Sequence, residues 1–469
     1  MIKVNNSWLT QRTGDPFTDT GGWVIDWLWK QPEHEQKDIS QLIEFIAKHY
    51  VNDWKGKLHS FFLNSPITNP ANKGREVSEV VRYFSSLINE TEQHEMGYCR
   101  ILGEYTKLFS AGRHNSPLSG STAFLNFHHN FQSGLMLSKE ALIRIFFLPY
   151  GTQVVGGFNA ALSANEPKIE RRYVYEICRE NNRRVASRNT EGGVLKSVFT
   201  NPANALFDFA RKCLEVDVRD DEIIEMNLIH YTNFAAKPES NLYCFSAQLF
   251  DFYRKVMQDS TKKDWKRFSH SFHRLKAATY DDVNDRYEVV EKKEKRVEDF
   301  DEFQKWYNPI YDKLLRGQPI LSDFRDWSKR QLLAKKKPFQ IYPIVKLYQK
   351  HLFDMKEETL QKIEAIAAHI VRDAKTDPTK VGRRVTQVRR AKHESDIRGV
   401  LIPIIKEQYE KGEKTPIVTV REYVNVLFPD GVYGTTVKDL LLISIYEKLM
   451  AEGVPVDEGS DDAETESNS

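Results

Sequence analysis

The chain has 469 residues, 40% of them hydrophobic and 12% aromatic, with a formal charge of +2. That is enough apolar material for two or three folded domains, and it excludes global disorder. The four cysteines (Cys99, Cys178, Cys213, Cys244) are widely spaced with no C-x-x-C pair, which argues against a zinc ribbon or a disulfide framework.

The charge is unevenly placed. Residues 457–469 carry six acids and no base, leaving about +8 on the rest, with the basic residues in clusters. A polyanionic partner suits this pattern. Residues 1–6 lead into no apolar signal-peptide core, and no run of about 18 apolar residues exists, so a cytoplasmic location without a membrane span is expected.

In chain order, residues 1–37 read as strand and turns. Within them Thr13-Gly14-Asp15-Pro16-Phe17-Thr18-Asp19-Thr20-Gly21-Gly22 reads as an ordered double turn. Residues 38–54 form an amphipathic helix, with Ile39, Leu42, Ile43, Ile46, Tyr50 and Trp54 on one face. A loop over 64–75 and an unresolved helix–strand mixture over 76–110 follow. Residues 111–134 are punctuated by Gly112, Pro117, Gly120 and Gly134 and read as a loop. A buried helix is expected over 138–148 and a short strand over 152–155. A basic helix or helix pair covers 167–187, and a helix begins at Asn201-Pro202. Residues 240–277 read as helical, and 282–300 as a solvated helix face or a flexible connection. From 339 amphipathic helices dominate, the last ended by Gly453. The fold class is α+β: a mixed N-terminal body over 1–338, an antiparallel helical bundle over 339–455 with the boundary near 335–338, and a disordered acidic tail over 456–469.

Three constellations could carry function. In the 111–134 loop, Arg113, His114, Asn115, Asn126, His128, His129, Asn130 and Gln132 offer hydrogen bonds suited to base edges in a DNA groove. His128-His129 also admits a metal-dependent nuclease, although no acid or cysteine stands at a ligand spacing, and no metal is expected. The second is 372–392, with Arg372, Lys375, Lys380, Arg383, Arg384, Arg389, Arg390 and Lys392 against Asp373 and Asp377. Six phosphate contacts from it would give a log–log salt slope of about −4 to −5. The third comprises Arg171, Arg172, Arg179, Arg183, Arg184 and Arg188, mixed with acids that pair within the helix. Lys262, Lys263, Lys266 and Arg267 add a smaller basic group. No nucleophile elbow, Walker motif, H-E-x-x-H or kinase set is present, so no catalytic residues and no cofactor are expected. A stand-alone helical nucleic-acid-binding protein is the remaining alternative.

Thr13-Gly14-Asp15-Pro16-Phe17 with Asp19 and Gly21-Gly22 resembles the N-terminal signature of the large subunit of type I-B CRISPR Cascade, the Cst (Tneap) group. Phe124-Leu125-Asn126-Phe127-His128-His129, followed by 142–151 ending Phe147-Leu148-Pro149-Tyr150-Gly151, is similar to a second block of that family. Many members carry paired C-x-x-C motifs nearby, where this chain reads Leu135-Met136-Leu137-Ser138, so no zinc site is carried over. The resemblance implies a non-enzymatic subunit at the 5′ end of a guide RNA, partnered by backbone, guide 5′-end and small subunits. It would read a protospacer-adjacent motif on double-stranded target DNA, help open the duplex and hold the displaced strand, before a helicase-nuclease or transposition apparatus acts. The 111–134 loop would read the motif. Arg383, Arg384, Arg389, Arg390 and Lys392 would track phosphates. Backbone N–H groups of 13–22 could hold a guide-RNA phosphate. The family also implies a small subunit translated from within the gene. Met355 is the expected internal start, giving a 115-residue product.

Overall fold

The computed structural model describes residues 4–119, 135–190, 192–216, 219, 221–233, 239–334 and 337–454. The fold is α+β, and the chain divides into two compact units. The first comprises residues 1–247 and 305–307, the second 248–304 and 308–469.

Unit one opens with helices rather than a strand: α1 (Asn6–Thr10) and α2 (Pro16–Trp29). The double turn expected over 13–22 is instead a helix start. Asp15 is the N-cap, its carboxylate accepting the Thr18 N–H at 2.7 Å, and Pro16 occupies the first helical position, where its missing N–H costs nothing. Only Gly14 takes a left-handed conformation, at φ +87°. Gly21 and Gly22 lie inside the helix.

The chain continues through α3 (Ile39–Lys48), begun by a reciprocal Asp38–Gln41 cap and extended by a wide turn over His49–Asp53, to α4 (Glu76–Ile88). Strands β1 (His94–Tyr98), β2 (Tyr105–Ala111) and β3 (Leu135–Ser138) form an antiparallel sheet. Ser138 caps α5 (Lys139–Phe147), as the buried stretch over 138–148 suggested. Then come β4 (Gln153–Val155), β5 (Phe158–Ala164), α6 (Pro167–Ala186), β6 (Leu195–Lys196), α7 (Pro202–Val216), β7 (Met226–Thr232) and β8 (Glu239–Phe245). The second sheet has the order β6-β4-β5-β7-β8, with only β4–β6 parallel. Helix α2 packs against α5, α6 and β5, with Val24, Ile25 and Leu28 fully buried.

Unit two begins at α8 (Ala247–Val256), so 239–245 is a strand and not part of the helical span expected over 240–277. After α9 (Lys262–His270), the charged stretch expected as a helix face is an antiparallel sheet of β9 (Ala278–Asp281), β10 (Arg286–Glu291) and β11 (Glu294–Glu298). Inward-pointing Tyr287 and Val289 supply its buried side, and Lys292 and Lys293 turn the hairpin at positive φ, a conformation usually left to Gly or Asn. Helices α10 (Phe300–Phe303), α11 (Pro309–Leu315), α12 (Leu321–Leu333), α13 (Tyr342–Phe353), α14 (Glu357–Val371), α15 (Pro378–Arg390), α16 (Glu394–Glu410), α17 (Val420–Glu422) and α18 (Gly434–Glu452) follow.

Helix α18 is apolar on all sides (Leu440, Leu441, Leu442, Ile443, Ile445, Leu449), and such a helix has to be buried. Helices α12 to α16 all touch it, and Gly453 ends it at φ +66°. Because α12 packs on α18, the compact unit starts well before the boundary expected near residue 338. No helix among the described residues is long and apolar enough to cross a membrane.

One carboxylate on α18 titrates in the neutral range. Glu447 accepts the Tyr342 N–H at 2.7 Å at the start of α13, and burial pushes its pKa up to about 7. The folded state therefore holds a proton that the unfolded chain releases near pH 4.5, and stability falls as pH rises from there through about 7. Glu447→Gln keeps an acceptor and removes the titration. Thermal unfolding should show it gaining on the parent above pH 7 by on the order of 3 kcal/mol, with little difference at pH 5.

Candidate nucleic-acid interface

The stretch that carries the resemblance is built around one buried ion pair. Arg144 on α5 is 1% exposed and donates from Nη2 to Asp19 Oδ1 at 2.6 Å. Its Nε reaches the Thr18 carbonyl at 3.0 Å, and Nη1 reaches those of Trp8 and Gln11 at 3.0 and 2.8 Å. Four of its five N–H groups are thus used. Burial lowers the guanidinium pKa, and Asp19 opposes that shift. Asp19 also accepts from Thr13 N–H, Thr13 Oγ1 and Gly14 N–H at 2.7–2.8 Å. Gly21 and Gly22 make the room: a Cβ on Gly21 would stand 1.8 Å from the Arg144 carbonyl oxygen, and one on Gly22 2.8 Å from Nη2. Nearby, Glu170 of α6 binds Arg12, the Ala164 N–H and the Trp23 indole.

The first block and the 142–151 part of the second therefore meet at one node, whose chemistry is structural; residues 124–129 lie outside the described residues. The N–H groups of Thr13, Gly14 and Thr18 are spent on Asp19 and Asp15, so they are not a phosphate cradle.

In the 111–134 loop, Asn126, His128, His129, Asn130 and Gln132 lie outside the described residues. Asn115 does not fit a base-reading role. It is buried, its Nδ2 donates to Tyr83 Oη and Ser110 O, and its Oδ1 accepts the Gly112 N–H. His114 is half-buried against Tyr83 and Phe84, and burial lowers its pKa. Arg113 is exposed. Among the described residues no three His, Cys, Asp or Glu side chains converge on a metal position.

The basic clusters sort by whether folding has supplied a carboxylate. On α6, Arg172 pairs with Glu176 and Arg183 with Glu180, both at 2.9 Å, while Arg184 donates to the Asn189 and Gly193 carbonyls. Arg171 lies over the Trp23 ring at 5.9 Å. On α9, Arg267 is withdrawn from the surface: it binds Asp282 at 2.9 Å, Gln331 and two backbone carbonyls. Lys262, Lys263 and Lys266 beside it have no ion pair among the described residues.

The 372–392 stretch splits. Arg372 pairs with Glu413, Lys380 with Asp373 and Glu407, and Arg384 with Glu407. Hydrogen bonds from Lys380 and Lys411, with Arg384 nearby, hold the Glu407 pKa down to about 2. Arg384 is therefore mostly buried and paired, not a phosphate contact. Lys375, Arg383 and Lys392 are exposed and have no ion pair among the described residues. Arg390 is exposed on the same stripe as Arg383, about 10 Å further along the helix axis.

Arg389 is half-buried and turned elsewhere, into a cleft that it lines with Arg325 and Lys329 of α12 and Lys438 of α18. Sequence reasoning missed these three because they lie far from the arginine-rich stretch. The i,i+4 pair Arg325–Lys329 was the one local signal.

Met355 is buried in the turn between α13 and α14, its N–H bonded to the Gln349 carbonyl. A product starting there keeps α14–α18 and lacks α12 and α13, which cover part of α18.

Compared with known proteins, the chain matches no family model and no curated protein.

Proposed function

We propose that this chain is the large subunit of an RNA-guided type I-B CRISPR surveillance complex, a binding subunit and not an enzyme. In this reading the 111–134 segment, with Arg113 as its exposed described member, addresses the adjacent motif on duplex DNA, and the complex then recruits a helicase-nuclease or transposition apparatus. The exposed side of α15 holds a displaced strand by its phosphates.

One observation carries the nucleic-acid part. Lys375, Arg383 and Lys392 remain exposed without acidic partners in a region where Arg372, Lys380 and Arg384 have each been given one. Exposed cations without carboxylates are free to exchange counterions for phosphate oxygens, which is where the affinity of nonspecific nucleic-acid binding originates. The assignment to Cascade rests on the resemblance; within it, Asp19 of the first block and Arg144 of the 142–151 stretch form one buried ion pair. The test is whether the full chain, purified from its own cells, carries a guide RNA and partner subunits.

A further inference from the structure

We propose that Tyr433, at the junction of α15, α16 and α18, is a stacking platform for one unpaired base of a single-stranded nucleic acid. The proposal rests on the nucleic-acid reading above and adds to it a contact with a base, where α15 offers contacts with phosphates.

Tyr433 immediately precedes α18, a position at which Ser, Thr, Asp or Asn would cap the helix. It makes no capping hydrogen bond there. Its side chain has no hydrogen bond and no ring contact among the described residues, and the residue is 69% exposed. An aromatic ring that neither caps nor packs adds little to the stability of the fold, and it departs from the local rule for helix starts.

Backbone packing fixes where this residue stands. A Cβ on Gly434 would lie 2.7 Å from the Glu394 nitrogen and 2.7 Å from the His393 carbonyl carbon, so glycine is what lets the start of α18 close on the start of α16. The Tyr423 hydroxyl donates to the Glu394 carbonyl at 2.8 Å and ties the turn after α17 to the same point. Tyr433 precedes Gly434 and Lys392 precedes His393, so an exposed ring and an exposed cation flank one backbone contact. Local charge is balanced. Lys392 and Arg398 stand against Glu394 and Asp396, and Asp396 accepts the Lys392 and His393 N–H groups at 2.8 and 2.9 Å. The junction therefore offers a ring more than a field.

The field comes from the adjoining helix. Lys392 follows the C-terminus of α15, whose Arg383 is exposed and has no ion pair among the described residues. A strand held by its phosphates along α15 meets Tyr433 where that helix ends. Single-strand sites combine such cations with an aromatic face, and every base has a π-face, so the occupant is a base of any identity.

The test uses the full chain and fluorescein-labelled oligo-dT, read by anisotropy between about 50 and 200 mM KCl. Tyr433→Ala should weaken binding at least about 5-fold, by the same factor across the salt range, because stacking releases no counterions. Lys392→Ala should instead flatten the log–log salt slope by about 0.7, the value of one single-strand phosphate contact. An abasic strand of the same length carries the same phosphates. The parent should bind it more weakly than oligo-dT, Tyr433→Ala should narrow that gap, and Tyr433→Phe and Tyr433→Trp should preserve it. Tyr433→Ala matching the parent on both strands, with Arg383→Ala still weakening binding, overturns the platform and leaves the nucleic-acid reading standing. Equal weakening of both strands by Tyr433→Ala also overturns it, since the ring then acts without touching a base. No binding of oligo-dT by the parent chain overturns both.

Discussion

Arg144→Met is expected to lower the stability of the first unit by about 3–5 kcal/mol. The substitution preserves most of the side-chain volume and removes the charge. Asp19, 4% exposed, would then be an uncompensated buried carboxylate, and the carbonyls of Trp8, Gln11 and Thr18 would lose a donor. Replacing both members of a buried pair with apolar groups is often nearly neutral. Here it should not be, because Asp19 also accepts the Thr13 and Gly14 N–H groups that set up the start of α2. Arg144→Met combined with Asp19→Leu should remain at least about 2 kcal/mol below the parent. Urea unfolding followed by tryptophan fluorescence reports on this region, since Trp23, Trp27 and Trp29 lie on α2. A single-variant loss under about 1 kcal/mol would mean that the node is not what holds the N-terminal segment.

Gly21→Ala should be as damaging with a single added methyl. Alanine favours a helix interior over glycine by about 1 kcal/mol, so propensity alone predicts a gain. The new Cβ would meet the Arg144 carbonyl oxygen at 1.8 Å and its carbon at 2.5 Å. Both are backbone atoms of α5, and no rotamer change relieves the overlap. The helices must separate, and a loss of at least about 3 kcal/mol or failure to fold is expected. Gly14→Ala separates this from a general glycine effect. Gly14 has a left-handed φ of +87° but nothing within 4 Å, so it should cost only about 1–2 kcal/mol. Equal, small losses at both positions would refute the close-approach account.

The elements legible in the sequence were those whose local signals had one meaning. Ser138 before an apolar run, Asn201-Pro202 and Gly453 each mark a helix that the structure contains. Asp15-Pro16 was ambiguous, because the same pair suits a turn and a helix N-terminus, and Gly21-Gly22 tipped the reading toward a turn. Their actual use, close contact with Arg144 more than a hundred residues away, has no local signal. The β10–β11 hairpin was hidden because Tyr287 and Val289 are its only buried apolar residues, among many charges, and the third buried side chain is Glu298.

The basic clusters show the same limit. Lys375, Arg383 and Lys392 stayed exposed, whereas Arg267 and Arg384 were withdrawn by Asp282 and Glu407, partners that sequence distance conceals. Charge counted along the chain therefore overstated the surface. The expected slope of −4 to −5 assumed six contacts, while Arg372, Lys380 and Arg384 at least are committed to carboxylates.

The composition of the complex formed by the full chain tests the central claim most directly. Tagged at its C-terminus and purified from its own cells, the chain should carry RNA of a discrete size class with a constant 5′ segment, together with backbone, guide 5′-end and small subunits. Recovery of the chain without RNA and without those partners would contradict the account. So would cleavage of labelled DNA by the purified chain in Mg²⁺ or Mn²⁺ that is lost in His129→Ala.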